Sequence, residues 1–265
     1  MCRHIGYLGP VAAVGEILTR GTHSLYEQAW APRDMRGGGT INADGFGVAW
    51  WLGDGEVSRY RNAAAIWTDP AVEEVLPQLR STAVLGAVRS ATNSLSVERN
   101  ACAPFLGGRW AFSHNGRIPD WQPVLTRLAA EFGSPSLIEA ESRTDAATLW
   151  VIVRDLLEKS GDAGEFGSSV ADPATVLPRV IRAVLDLSPE SRLNLLLGDG
   201  ETLWATTVHH ALSVLVTEEI AVVASEPYDD DPRWRTVADR QLVTLRPGHL
   251  SIVPLDTEDA ERALR

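Results

Sequence analysis

The sequence predicts an α+β fold in which helices pack against antiparallel sheets. Strand-like segments come first, helix-like segments occupy the middle of the chain, and a second group of strand-like segments follows. This order favours layered antiparallel sheets over a regular β-α-β repeat. The 265 residues are enough to bury a sizeable core, and without an internal repeat or linker they indicate a single domain over 1–265.

The first strand group shows apolar residues at every second position, bounded by Gly, Asp and Pro. The turn GDGE at 53–56 predicts a hairpin between its second and third strands. The predicted strands are 3–8, 46–52, 56–61, 83–89 and 109–113.

Helical spacing of apolar residues follows, with Pro, Asp or Thr near each helix start. The predicted helices are 70–80, 122–132, 145–159 and 173–187. The polar stretch 158–175 predicts a surface loop between the last two. The second strand group is predicted at 192–197, 201–207, 212–217, 220–224, 241–245 and 249–254.

Charge and hydropathy exclude several classes of function. The formal net charge is −11, from 24 basic and 35 acidic residues, and no Lys/Arg run is present, so we expect no nucleic-acid partner. Apolar runs end well short of the ~20 residues that a membrane helix needs. The stretch 10–20 is too short and too acidic for a secretory signal. We therefore expect a cytoplasmic protein with no membrane partner.

Two cysteines, Cys2 and Cys102, are too few for a disulfide framework. Cys102 is expected to be a small buried residue. Removal of Met1 would leave Cys2 as an N-terminal cysteine whose own α-amine, with a pKa of about 7.7–8.0, can act as the base for its thiol. On position alone, Cys2 is better explained as merely the second residue.

Three further segments carry candidate site residues. FSHNGRIPDW places His114, Asn115 and Gly116 at a predicted strand end, where a tight turn would expose an amide and a backbone N–H to an oxyanion. GAVRSATNS offers Arg89 to a carboxylate, and SRTDAATLW starts a helix with Asp145. Taken separately, an Asn-Gly turn, a surface ion pair and a helix cap explain these segments better.

Together the segments resemble the class II glutamine amidotransferases. The resemblance rests on six ordered blocks: MCRHIGYLG, NADGFGVAWW, AVRSATNS, APFLGGRWAFSHNG, RTDAATLW and ASEPYDDDPRW. It implies the four-layer αββα sandwich of N-terminal nucleophile hydrolases, with two antiparallel sheets between helices. Within that family the chain looks most like the γ-glutamyl hydrolases of ergothioneine biosynthesis, which act on γ-glutamyl-hercynylcysteine sulfoxide.

The resemblance implies a role for each matching residue. Cys2 becomes the nucleophile that forms a thioester, and the Asn115 side chain and Gly116 N–H become the oxyanion hole. The glutamyl end is expected to be bound by four residues: Arg89, Thr92, His114 and Asp145. Many family members have His where this chain has Asn93, and a Glu shortly after the site Asp where it has 146–148.

A hydrolase is preferred to an ammonia donor because only about ten residues follow Pro254, which leaves no synthase region. The alternatives are a glutaminase subunit that supplies a separate synthase and a binding module without turnover. We expect Asp230 and Asp231 to help bind a trimethylammonium leaving group, with the nearby tryptophans as further candidates. No metal or other cofactor is expected, since the histidines lack a metal-ligand spacing. The oligomeric state is not predicted.

Overall fold

Strands, helices and strands follow one another in the predicted order. The computed structural model describes residues 2–36, 41–91, 97–134, 137–159 and 171–255. Within these ranges the strands are β1 (Arg3–Ala13), β2 (Phe46–Trp51), β3 (Val57–Asn62), β4 (Arg80–Val88), β5 (Phe105–Gly107), β6 (Trp110–Arg117), β7 (Arg192–Gly198), β8 (Leu203–Thr207), β9 (Ser213–Val216), β10 (Ala221–Ala224), β11 (Arg235–Thr236), β12 (Gln241–Arg246) and β13 (His249–Pro254). The helices are α1 (Val14–Thr19), α2 (Leu25–Gln28), α3 (Ala71–Glu74), α4 (Trp121–Phe132), α5 (Asp145–Lys159) and α6 (Pro173–Leu187).

The strands form two sheets. Every strand pairing described within each sheet is antiparallel. The first sheet has the order β11-β9-β10-β1-β4-β2-β3, and the second has the order β13-β12-β8-β7-β6-β5. The GDGE hairpin is confirmed between β2 and β3, with Gly55 at φ 84°. A positive φ of this kind is one that glycine adopts at little cost.

Three apolar clusters show how the layers stack. One lies between the sheets and includes Leu8, Leu85 and Leu196. A second packs the outer face of the first sheet against α1 and α2, and a third packs the outer face of the second sheet against α4, α5 and α6. The predicted α+β class and the four-layer αββα sandwich are therefore confirmed.

The predicted helix over 70–80 is wrong. Only α3 is α-helical there, a 3₁₀ turn follows at Leu76–Gln78, and β4 already begins at Arg80. Pro77 explains the early end, because a proline lacks the N–H that would continue an α-helix and restricts the residue before it. In addition, the short helices α1 and α2 and the short strands β5 and β11 were not predicted. Of the predicted loop 158–175, residues 160–170 lie outside the described residues.

The sheet register brings three strand ends to one edge of the sandwich. Arg3 at the start of β1 pairs with Val88 at the end of β4, and Val88 also pairs with Phe46 at the start of β2. Across the gap between the sheets, His4 Nδ1 lies 3.4 Å from Ser113 Oγ on β6. The start of β1 thus faces the last part of β6.

Candidate active site

A small open cleft lies at this edge of the sandwich. Its walls come from the residue before β1, the end of β4, the end of β6 and the start of α5. The predicted site residues that line it are Cys2, Arg89, His114, Gly116 and Asp145. The fold therefore brings together positions up to 143 residues apart in the chain.

The two cysteines have different environments. Cys2 is partly exposed, and its Sγ lies 3.8 Å from the Ser90 carbonyl oxygen. Cys102 is fully buried, as expected, and its Sγ lies 3.4 Å from the Asn62 oxygen. Burial raises the pKa of the Cys102 thiol to about 11. Since a thiolate is the nucleophilic form, Cys2 is the cysteine that the structure makes available for attack.

The predicted turn at His114-Asn115-Gly116 is wrong, because β6 runs straight through this tripeptide to Arg117. Asn115 and Gly116 pair with Asn194 and Leu193 on β7. Strand pairing to β7 overrides the local preference of Asn-Gly for a turn.

The Gly116 N–H points away from β7. Leu193 donates its own N–H to the Val208 oxygen at 3.2 Å, so the Gly116–Leu193 pair is a non-hydrogen-bonded one and Gly116 N–H lies on the opposite edge of β6. On that edge β5 begins only opposite Phe112, which leaves the end of β6 open to the cleft. A backbone N–H donor is thus available to the cleft without a turn.

Glycine is required at position 116 by packing. A Cβ there would lie 1.9 Å from the Arg192 oxygen and 2.5 Å from His114 Nε2. His114 Nε2 donates to that same oxygen at 2.8 Å, which fixes the imidazole ring at the cleft wall. No larger residue fits beside this pair.

Asn115 is 1% exposed, and its Nδ2 lies 3.4 Å from Ser225 Oγ. Its Oδ1 has no hydrogen-bond partner within the described ranges. Turning the amide by 180° would let the Ser225 hydroxyl donate to Oδ1 and would release Nδ2 for another acceptor. The residue lies beside the cleft and is not part of its lining.

Asp145 begins α5, as predicted, and its carboxylate is held at the end of β6. Oδ2 accepts the Ile118 N–H at 3.0 Å, and Oδ1 accepts the Ala146 N–H at 2.8 Å. Ile118 follows Gly116 by two residues on the same edge, so the two N–H groups are about 7 Å apart at ~3.4 Å per residue. One small extended molecule can therefore contact Asp145 at one end and the Gly116 N–H at the other.

Arg89 follows β4 and is 9% exposed. Its backbone exchanges hydrogen bonds with Gly45 and Asp44, and its Nη1 donates to the Asp44 oxygen at 3.4 Å. Asp44 Oδ2 also accepts the Ala91 N–H at 2.7 Å. The predicted partner Thr92 lies outside the described residues.

His4 lies in β1, two residues after Cys2, and is fully buried. Burial, together with the charges of the neighbouring His114 and Arg3, lowers the pKa of His4 to about 3. At neutral pH the His4 side chain is therefore uncharged.

The structure does not place Asp230 or Asp231 in the cleft wall. Asp230 is exposed and lies 3.8 Å from Arg33, whereas Asp231 accepts Arg233 Nη2 at 2.6 Å. The hydrogen bonds from Arg233 lower the pKa of Asp231 to about 2. Both aspartates belong to the segment that follows β10.

The tryptophans considered for the leaving group are not among the residues that line the cleft either. Trp51 and Trp110 belong to apolar clusters. Trp234 donates its indole N–H to Asp229 at 2.8 Å and packs edge-on against Tyr228. In the part of the chain that is described, no three His, Cys, Asp or Glu residues are grouped to hold a metal ion, and no helix is long and apolar enough to cross a membrane.

Comparison with known proteins identifies the family. The family described as glutamine amidotransferases class-II matches residues 26–264. The chain belongs to the class II glutamine amidotransferases.

Curated relatives match nearly the whole chain. A protein of Mycolicibacterium smegmatis named gamma-glutamyl-hercynylcysteine sulfoxide hydrolase is 36% identical over 96% of this chain and 100% of its own. A Mycobacterium tuberculosis protein of the same name is 36% identical over 99% of this chain and 100% of its own. A Saccharomyces cerevisiae protein named probable glutamine amidotransferase DUG3 is 24% identical over 97% of this chain and 85% of its own.

Solved structures agree with the class II amidotransferase fold. A glutamine aminotransferase class-II domain protein from Silicibacter pomeroyi superimposes with a TM-score of 0.62 at 21% identity, covering 96% of this chain and all of that one. The glutamine phosphoribosylpyrophosphate amidotransferase of Bacillus subtilis gives 0.61 at 16% identity, covering 97% of this chain and 50% of that one. At these identities the likeness establishes the fold alone.

Several polar residues of this class II amidotransferase were missed from the sequence. Asp44 lies in the block NADGFGVAWW, and Ser225 and Glu226 lie in ASEPYDDDPRW. These blocks were recognised, but no role was assigned to the three residues. Their partners lie between 45 and 223 positions away, so no local pattern reveals them.

Proposed function

We propose that the protein hydrolyses the γ-glutamyl amide bond of γ-glutamyl-hercynylcysteine sulfoxide and releases glutamate and hercynylcysteine sulfoxide. The observation that carries this proposal is the 36% identity to the M. smegmatis hydrolase over 96% of this chain and the whole of that protein. The cleft supports it, since a half-buried thiol, a backbone N–H and a carboxylate occur there together.

In the proposed reaction, Cys2 Sγ attacks the γ-carbonyl carbon after Met1 has been removed. The α-amine of Cys2 takes the thiol proton and passes it to the departing amine, which breaks the C–N bond and leaves a glutamyl thioester. Water then attacks the thioester and releases glutamate and the thiol. An uncleaved N-terminal tag is expected to abolish turnover, because it converts the amine into an amide; full activity with the tag would refute the role of the amine.

The Gly116 N–H and the Asn115 amide would hold the oxygen that becomes negative during both attacks. For Asn115 this requires Nδ2 to be released from Ser225, which the rotated amide allows. Arg89 and Thr92 would bind the α-carboxylate, and His114 would line the glutamyl pocket. Asp145 would bind the α-ammonium, since its carboxylate is already oriented by two backbone N–H groups.

We propose that the leaving group lies toward the segment that carries Asp230 and Asp231. A trimethylammonium group is attracted by carboxylates, and Asp230 is exposed, so a ligand can reach its side chain. The variant D230N/D231N should raise KM for the sulfoxide while KM for glutamine stays constant, because glutamine lacks this group. D186N on the exposed face of α6 is the matched control, and an unchanged KM in D230N/D231N would exclude this placement.

A glutaminase subunit that supplies ammonia to a separate synthase is the second candidate. The yeast relative named probable glutamine amidotransferase favours it. Glutamate release from equal concentrations of glutamine and of the sulfoxide conjugate separates the two functions, with C2A as the blank. A higher kcat/KM for the sulfoxide supports the hydrolase, whereas a strong preference for glutamine supports the glutaminase.

A binding module without turnover is the third alternative. It predicts no glutamate release from either compound and no covalent adduct at Cys2 with a glutamine-like electrophile. Mass spectrometry of the intact protein after incubation with 6-diazo-5-oxo-L-norleucine tests this directly. An adduct that C2A lacks excludes a purely passive module.

A further inference from the structure

Glu226 follows β10 and is a buried carboxylate with donors on several sides. It is 5% exposed. Its oxygens accept His23 Nε2 at 2.6 Å and Arg3 Nε at 3.0 Å, together with the backbone N–H groups of Arg33 at 2.8 Å and Asp34 at 3.1 Å. Two sequence-distant segments, 31–36 and the start of β1, are thus fixed to one side chain.

The Arg3 guanidinium connects this carboxylate to Cys2. Arg3 is 2% exposed, and its Nη1 donates to the Cys2 carbonyl oxygen at 3.0 Å, while its Nη2 donates to the Asp34 oxygen. A guanidinium is a rigid planar fork. Fixing Nε on Glu226 therefore fixes the direction of Nη1, and with it the carbonyl of Cys2.

Cys2 needs such support because it lies at a strand end. The pairing of β1 with β4 begins at Arg3, opposite Val88, so Cys2 lies outside the ladder. Terminal residues are poorly ordered unless other groups hold them. Within the described residues, the contacts on Cys2 beyond its chain neighbours include a 3.8 Å approach of Sγ to the Ser90 oxygen, which is a weak hydrogen bond.

We propose that Glu226 is a positioning residue for the Cys2 nucleophile, acting through Arg3, and that it ties segment 31–36 to the same support. This inference rests on the proposed function, in which Cys2 attacks the γ-carbonyl carbon. Glu226 is not among the residues that line the cleft. It acts by setting the position of Cys2 Sγ, and displacing this atom by about 1 Å can lower the rate about 100-fold.

Two variants test the proposal. E226Q keeps the side-chain shape and removes the charge, whereas R3K keeps the charge and removes the fork that reaches Cys2. D199N is the matched control, since Asp199 also accepts one arginine and two backbone N–H groups. Asp199 follows β7 at the end remote from the cleft.

The readouts are kcat and KM for the sulfoxide, the rate of Cys2 modification by 6-diazo-5-oxo-L-norleucine, and the melting temperature. We expect kcat and the modification rate to fall about 10- to 100-fold in E226Q and R3K. KM should stay within about threefold, because the residues proposed to bind the glutamyl end are untouched. D199N should lower the melting temperature alone.

Folded E226Q and R3K with wild-type kcat and modification rates would overturn the positioning role. The positioning role would also be overturned if D199N lost as much kcat as E226Q and R3K at an equal loss of melting temperature. Should E226Q fail to fold, R3K decides, because it retains the buried charge pair. A wild-type enzyme with neither turnover nor a Cys2 adduct would overturn the proposed function itself, and the positioning role with it.

Discussion

Replacing Glu226 by Gln should weaken folding in a way that depends on pH. Burial alone would raise the pKa of Glu226, but the hydrogen bonds from His23 and the Arg33 N–H and the charge of Arg3 lower it from 4.5 to about 2. Each tenfold change in an acid constant corresponds to about 1.4 kcal/mol, so the ionised carboxylate favours the folded state by about 3 kcal/mol at neutral pH.

This contribution has a defined pH window. It is fully present above the pKa of about 4.5 that the carboxyl has in the unfolded chain, and it is lost as the pH falls through the folded-state value of about 2. The free energy of unfolding of wild type minus that of E226Q should therefore be largest at pH 6–7 and shrink by about 3 kcal/mol toward pH 2.

Urea unfolding of both proteins at pH 7, 5, 4 and 3 measures this difference, with tryptophan fluorescence as the signal. Subtracting the variant removes the contributions of the other carboxyl groups, provided that they do not interact with Glu226. A difference that stays constant from pH 7 to pH 3 would refute the reasoning. It would mean that Glu226 does not hold an unusually low pKa in the folded protein.

The remaining predictions concern the cleft. At pH 7.5 iodoacetamide should modify Cys2 and leave Cys102 unmodified in the folded protein, because a pKa raised from 9.0 to about 11 leaves about 100-fold less thiolate; peptide mapping checks this, and comparable labelling would contradict it. G116A should lose at least about 100-fold in kcat, since its Cβ meets the Arg192 oxygen and displaces an oxyanion donor. G53A, whose Cβ meets nothing within 4 Å, is the control, and an active G116A would refute the assignment. D145N should raise KM about 10- to 100-fold in initial-rate assays, the cost of one charged hydrogen bond; a constant KM would exclude Asp145 as the ammonium ligand.

The fold was predictable where local patterns are strong. The alternation of apolar residues in β2 and β3, together with the GDGE turn between them, identifies a hairpin. All the residues that specify this hairpin are close together in the sequence. The order of strands and helices predicts the α+β class, but the stacking of one sheet on the other came from the family resemblance. The prediction of a helix over 70–80 was wrong because the apparently periodic segment contains Pro77 and the first residue of β4.

The candidate site was predictable through motifs and hardly at all through periodicity. The resemblance selected a set of residues, five of which are among those that line the cleft: Cys2, Arg89, His114, Gly116 and Asp145. The local residue pattern gave the wrong structure for His114-Asn115-Gly116, because strand pairing with β7 is a long-range interaction that the tripeptide does not encode. The buried hydrogen-bond partners of Arg3 were not predicted for the same reason, since they are distant in the sequence.

The geometry separates two kinds of support around Cys2. The groups proposed for the glutamyl end are fixed by strand register and by the start of α5, so their spacing is set by the backbone. The groups nearest the proposed leaving-group side belong to segments 31–36 and 227–234, which meet at Arg33 and Asp230 and are anchored through Glu226. Substitutions in these segments can alter the amine that is accepted while the oxyanion donor and Asp145 stay in place. Glu226 is the exception, since a change there reaches the nucleophile as well, and its variants should affect kcat for every γ-glutamyl substrate alike.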